Sequence, residues 1–183
     1  MGGLEKKIMS VLKTLLAVVI VFVAGMVLFA YSGVYNIAAD EPHWSATRWL
    51  LETTRSQSIA RRDDSVNVPA DLADTARIRR GVQSYGAMCQ ICHLGPGVKP
   101  TPLHEGLNPK PPQLVKEVAH HAPENLFWIV KHGIKMSGMP AWGATHGDEE
   151  LWDVVAFLKQ MEQMTPQQYE QLTRDAGKST HAH

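Results

Sequence analysis

The first apolar run in the chain is also its longest. From residue 15 to 30 nearly every position is aliphatic, Phe or Gly, and residues 14–39 contain no Asp, Glu, Lys or Arg. A helix needs about 20 predominantly apolar residues to cross a bilayer, so this stretch is expected to be a membrane span. Lys6, Lys7 and Lys13 precede it against a single acid, Glu5, which keeps the short N-terminus cytoplasmic and sends the rest of the chain outward. Tyr31, Tyr35, Trp44 and Trp49 follow, residue types suited to the membrane–water interface. The competing reading is a signal peptide cut after residue 32 or 39, whose apolar region is normally about 7 to 15 residues. The run is longer than that, and residues 1–39 are read as an uncleaved anchor.

Residues 44–62 are polar and Arg-rich, with Trp49, Leu50, Leu51 and Ile59 as apolar points and Arg48, Glu52 and Arg55 at helical spacing. A helix at the membrane surface and a solvated linker helix fit this pattern equally well. Asp63-Asp64, Val68-Pro69 and Asp71 then interrupt any apolar face, so residues 40–73 are assigned as juxtamembrane helix and linker.

At Asp74 the pattern turns helical. Ile78, Val82, Tyr85 and Cys89 recur at steps of four, three and four on one face, and Asp74 suits the N-cap. A second helix is predicted over residues 123–131, opened by Pro123 and closed by Gly133, with a short one before it around 114–120. The clearest covers residues 148–164, where Leu151, Val155 and Leu158 form a stripe widened by Trp152 and Ala156, and Asp148, Glu149 and Glu150 favour the first turn. Thr165-Pro166 starts a short terminal helix to about Arg174, and 165–183 is assigned as that helix and a tail in which His181 and His183 are expected to be unstructured. No alternating strand pattern appears, so residues 74–164 read as one all-α domain.

Composition narrows the classes. The 183 residues carry 18 basic and 18 acidic side chains with no dominant basic run, which excludes a nucleic-acid partner. Two cysteines exclude a disulfide scaffold and a four-thiolate metal cluster. Between the first and second helices of the domain lie Pro96, Pro100, Pro102, Pro109, Pro111 and Pro112 with Gly95, Gly97 and Gly106. So small a domain with so long a loop needs something besides side chains to complete its core.

The cysteines identify it. Both lie in Cys89-Gln90-Ile91-Cys92-His93, the attachment signature of c-type haem, in which two thiols one helical turn apart add to the vinyl groups and the adjacent imidazole reaches the iron. Chance places two cysteines at this spacing about once in a hundred chains of this length, and a following His makes it rarer than about one in a thousand. No second pair completes a zinc site, and no βαβ pattern supports a redox dithiol. His93 is then the proximal ligand. For the opposite face, the glycine-bounded loop after the second helix offers Met136 and Met139, with Gly138 to allow close approach and Pro140 to stiffen it; His120, His121 and His132 stand as alternatives. Phe127, Trp128, Trp142 and Trp152 are walls of the haem pocket or core.

The order of a helix, Cys89-Gln90-Ile91-Cys92-His93, a Pro-rich loop with Pro111-Pro112-Gln113-Leu114, a helix, Gly138-Met139-Pro140-Ala141-Trp142-Gly143 and an amphipathic C-terminal helix resembles class I cytochrome c. Tyr35-Asn36, residues 40–44 and residues 129–143 resemble more closely the bacterial membrane-anchored monohaem cytochromes c. The resemblance implies a class I cytochrome c fold around one covalent haem c, with Cys89 and Cys92 as thioethers, His93 and Met139 as axial ligands and the Pro112 carbonyl accepting from His93 Nδ1. It also implies that Gly81 and Tyr85 meet the last helix at Leu151, Trp152 and Val155. With both axial positions filled, only the oxidation state changes. The expectation is therefore an electron carrier rather than an enzyme, with no small-molecule substrate, tethered in the inner membrane with its haem domain in the periplasm. Its partners are periplasmic or membrane redox proteins, with Lys99, Lys110, Lys131 and Lys135 as steering charges. The main alternative is a permanent haem subunit of an oxidoreductase complex.

Overall fold

Continuous apolar sequence makes the first helix, α1 (Gly2–Ser32), in a computed structural model that describes residues 2–62, 66–118 and 121–179. The helix is long and apolar enough to cross a membrane. It ends where Ser32 Oγ turns back to donate to Phe29 O at 2.7 Å and Gly33 takes φ +66°, a value that costs a side chain but not glycine. Met1–Glu41 form one compact unit and Pro42–His183 another.

The second unit has helices joined by loops and no strand among its described residues, as the periodicities predict. It begins with α2 (Ser45–Ala60), which packs on α7 (Pro123–His132). Trp49 and Leu50 remain 66% and 57% exposed. Asp63 and Asp64 of the expected linker lie outside the described residues. α3 (Thr75–Met88) starts at Asp74, whose carboxylate accepts from the N–H of Ala76 at 2.7 Å and of Arg77 at 3.4 Å, satisfying two of the orphan donors of the first turn.

α3 crosses α8 (Asp148–Met161) at a point that only glycine permits. A Cβ on Gly81 would lie 1.9 Å from Asp153 O and 2.9 Å from Phe157 Cβ. The atoms nearest that position belong to Asp153 and Phe157, and Leu151, Trp152 and Val155, named for this crossing by the resemblance, are buried with Tyr85 in the same core. The single stripe expected of α8 is too narrow, since residues 151–158 are all buried, because α3, α6 (Leu114–Glu117), α7 and a 3₁₀ turn (Trp142–Ala144) surround the helix. Trp152 stacks on Phe127 of α7 at 4.2 Å. Asp153 can be buried because it accepts from Arg77 at 3.0 Å and from Arg80 at 2.6 Å, and Arg77 reaches Asp71 and Glu149 as well.

Two elements differ from the pattern reading. The Pro-rich loop contains α5 (Pro102–Gly106), capped by Thr101 Oγ1, which accepts from His104 N at 3.1 Å. The last helix, α9 (Pro166–Ser179), runs past Arg174 and packs on α3. Its start is a reciprocal cap in which Thr165 Oγ1 accepts from Gln168 N and Gln168 Oε1 accepts from Thr165 N.

Candidate functional site

The chain leaves α3 at Cys89 and turns at once into the four-residue α4 (Gln90–His93). Cys89 O accepts from Cys92 N at 3.1 Å and from His93 N at 2.9 Å, so one tight turn carries both thiols and the imidazole. Neither thiol is in a disulfide; Cys89 is buried and Cys92 half-buried. Burial pushes the Cys89 thiol up to about 12, with the charge of Cys92 adding to the effect. This is the opposite of the depressed value that a thiolate nucleophile needs, so Cys89 is not poised as one.

His93 Nδ1 lies 2.9 Å from Pro112 O. A carbonyl only accepts, so the proton is on Nδ1 and the lone pair on Nε2. Burial lowers the pKa of His93, the Pro112 bond opposes that shift, and His104 adds to it. The ring is therefore presented as neutral imidazole, the form that binds a metal.

The neighbouring carbonyls are held too, by Tyr85 and by two residues that pattern reading missed, Thr101 and His104. Thr101 Oγ1 donates to Ile91 O, His104 Nδ1 donates to Cys92 O at 2.7 Å, and Tyr85 Oη donates to Leu94 O at 2.6 Å. His104 is 2% exposed. Three successive residues, Ile91, Cys92 and His93, thus each bond to the loop that follows them. The cap signal Thr101-Pro102 marks the start of α5, but nothing in the spacing assigns those side chains to the cysteine turn.

The methionine loop closes on itself between α7 and the 3₁₀ turn. Ile134 N donates to Met139 O at 3.3 Å, Ser137 Oγ donates to Ile134 O at 2.7 Å, and Met139 N donates to Ser137 Oγ at 3.2 Å. Gly133, at φ +63°, has no room for a Cβ, which would meet the Pro140 backbone at 2.6 Å. Met139 leaves this loop half-buried against the core, whereas Met136, at φ 62°, is 77% exposed. A Cβ on Gly138 would lie 2.6 Å from Leu107 Cδ2. Trp142 is half-buried, with its ring edge-on to His146 at 5.4 Å.

Among the alternative ligands, His132 is exposed beside Trp128 at 4.9 Å, and His121 serves through its carbonyl, which accepts from Lys159. His120, His181 and His183 lie outside the described residues. Of the four lysines, Lys110 pairs with Glu105 at 2.7 Å and Lys131 with Asp148 at 2.7 Å, while Lys99 and Lys135 are exposed.

The donor set fits a c-type haem: two unpaired thiols on one turn, an imidazole with its lone pair on Nε2, and a half-buried thioether on a hydrogen-bonded loop. Among the described residues no group of three or more His, Cys, Asp or Glu forms a rival metal site. Residues 76–158 match the family model described as cytochrome C oxidase, cbb3-type, subunit III. Neither the curated proteins nor the solved structures yield a match. The matched segment runs from the first turn of α3 into α8, enclosing the cysteine turn, Pro112 and the methionine loop and leaving α1, α2 and α9 outside. With that match added to the attachment signature, residues 76–158 are identified as a class I c-type cytochrome domain, an all-α fold that carries one covalently attached haem c and transfers electrons.

Proposed function

We propose that the protein is a membrane-tethered periplasmic electron carrier, its haem attached through Cys89 and Cys92 and its iron held between His93 Nε2 and Met139. The observation that carries this reading is the His93–Pro112 bond beside the two free thiols. When bound, the haem supplies one iron that changes oxidation state by one electron. The chain does the rest. Two thioethers fix the macrocycle to α4, Pro112 holds the imidazole in one tautomer and raises its donor strength, and the soft thioether of Met139 favours the ferrous state and a relatively positive potential. The loop hydrogen bonds keep Met139 in place without a helix, and Trp142 walls the pocket. With His93 and Met139 both bound, the iron would have no position open to a substrate. The lysines at the start of α1, ahead of its uncharged stretch, favour a cytoplasmic N-terminus and a periplasmic haem domain.

The test is the visible spectrum of the ferric protein. The wild type is expected to show the thioether-to-iron charge-transfer band and Met139→Ala to lack it; a band that persists in Met139→Ala overturns the ligand assignment. The description of the matched family favours a second reading, a permanent haem subunit of an oxidase. Solubilisation in mild detergent separates the two: a subunit copurifies in fixed stoichiometry with a larger oxidase, whereas a carrier elutes alone.

A further inference from the structure

α9 lies beyond the family match, yet it grips the haem-attachment turn. Its Tyr169 is 3% exposed, and its Oη donates to Gln90 Oε1 at 2.6 Å, between the two cysteines. The ring occupies the space that Gly95 leaves, where a Cβ would stand 2.7 Å from Tyr169 Cε1. One turn earlier Pro166 sits over Gly97 in the same way, 2.7 Å from the position of a Cβ. The Tyr169 ring also stacks on Phe157 of α8 at 6.0 Å, and Phe157 meets Tyr85 at 5.1 Å. Tyr85 in turn bonds to Leu94 O. Residues 90 and 94, on either side of Cys92-His93, are therefore each tied to a buried tyrosine, and both tyrosines lean on the same phenylalanine.

We propose that α9 is a strap on the haem-attachment turn and that Tyr169 is a positioning residue for electron transfer, acting through Gln90 on the orientation of His93. The inference rests on Cys89, Cys92 and His93 being the haem-binding residues. A haem's potential depends on how its ligands are oriented and on how far water reaches it. Tyr169→Phe keeps the ring and its packing and removes one hydroxyl. Gln90 is then free to turn, the segment loosens, and water admitted near the iron favours the ferric state, so the midpoint potential falls.

The experiment uses the full-length holoprotein in detergent as wild type, Tyr169→Phe, Gln90→Leu and the double variant. Midpoint potential is read by spectroelectrochemistry, and the orientation of the His93 ring by the hyperfine-shifted haem methyl resonances. Both single variants are expected to lower the potential and to change the methyl pattern in the same sense, with the double variant no further displaced than the larger single. Reduced thermal stability with unchanged potential and methyl pattern overturns the proposal and leaves α9 as packing alone. Additive shifts in the double variant overturn the route through Gln90. A wild-type protein whose mass shows no covalent haem defeats the underlying assignment instead, which keeps the two failures distinguishable.

Discussion

Thr101 shows how much one side chain does at this site. Its hydroxyl donates to Ile91 O and accepts from His104 N, so it caps α5 and holds the cysteine turn at once. Thr101→Val keeps the shape and removes both bonds; loss of an N-cap alone costs about 1 kcal/mol. Thermal unfolding of the holoprotein should show that loss, and a melting temperature equal to wild type would mean the two bonds contribute nothing. Residues whose role follows from covalent neighbours were legible from sequence: the thiols and His93 by their spacing, and Asp74 as the cap of α3. Thr101, His104 and Tyr169 were not, because a side-chain bond to a carbonyl distant in sequence leaves no period and no motif. The two methionines fall between these cases. Spacing nominates both and the resemblance picks Met139; the structure leaves Met136 77% exposed at φ 62° and Met139 half-buried.

Between elements, the α3–α8 crossing depends on an absent side chain. Gly81→Ala would set a Cβ 1.9 Å from the Asp153 carbonyl, a backbone atom that cannot rotate away, and is expected to destabilise the domain by about 3 kcal/mol, measurable as a lower urea midpoint at unchanged slope. The periodicity of α3 and α8 was legible, but the full extent of burial on α8 was not, since a helix buried on all sides has no single stripe to read. The aromatic junction of α3, α8 and α9 adds a pH dependence. Burial pushes the Tyr169 hydroxyl up to about 12, and raises Tyr85 further, whereas in an unfolded chain tyrosine ionises near pH 10. Below about pH 10 both states hold the proton and stability is unaffected; from about 10 to about 12 the unfolded chain releases it first, so stability falls as pH rises. Urea midpoints compared at about pH 9 and about pH 11 should show that fall, and it should be shallower in Tyr169→Phe. Equal falls in the two proteins would remove Tyr169 from the account.

At the scale of the whole molecule, charge and tethering bear on how partners are found. Lys6, Lys7, Lys13 and Glu5 lie at the start of α1, so the chain beyond it carries 15 basic and 17 acidic residues that nearly cancel, and two of the four lysines near the site are already paired with Glu105 and Asp148. Strong electrostatic steering needs a surface of one sign and fades with salt over a Debye length of about 10 Å at 0.1 M. A carrier confined to a membrane layer by α1 gains encounters from that confinement instead, so neutrality carries little kinetic penalty. Oxidation of the reduced protein by an anionic redox reagent is accordingly expected to slow by less than about threefold between about 50 and about 500 mM salt. The residual dependence belongs to Lys99 and Lys135, and Lys99→Glu with Lys135→Glu should abolish or invert it. A much steeper salt dependence that survives the double substitution would place the steering field elsewhere on the surface and separate electron exchange from the lysines around the haem loops.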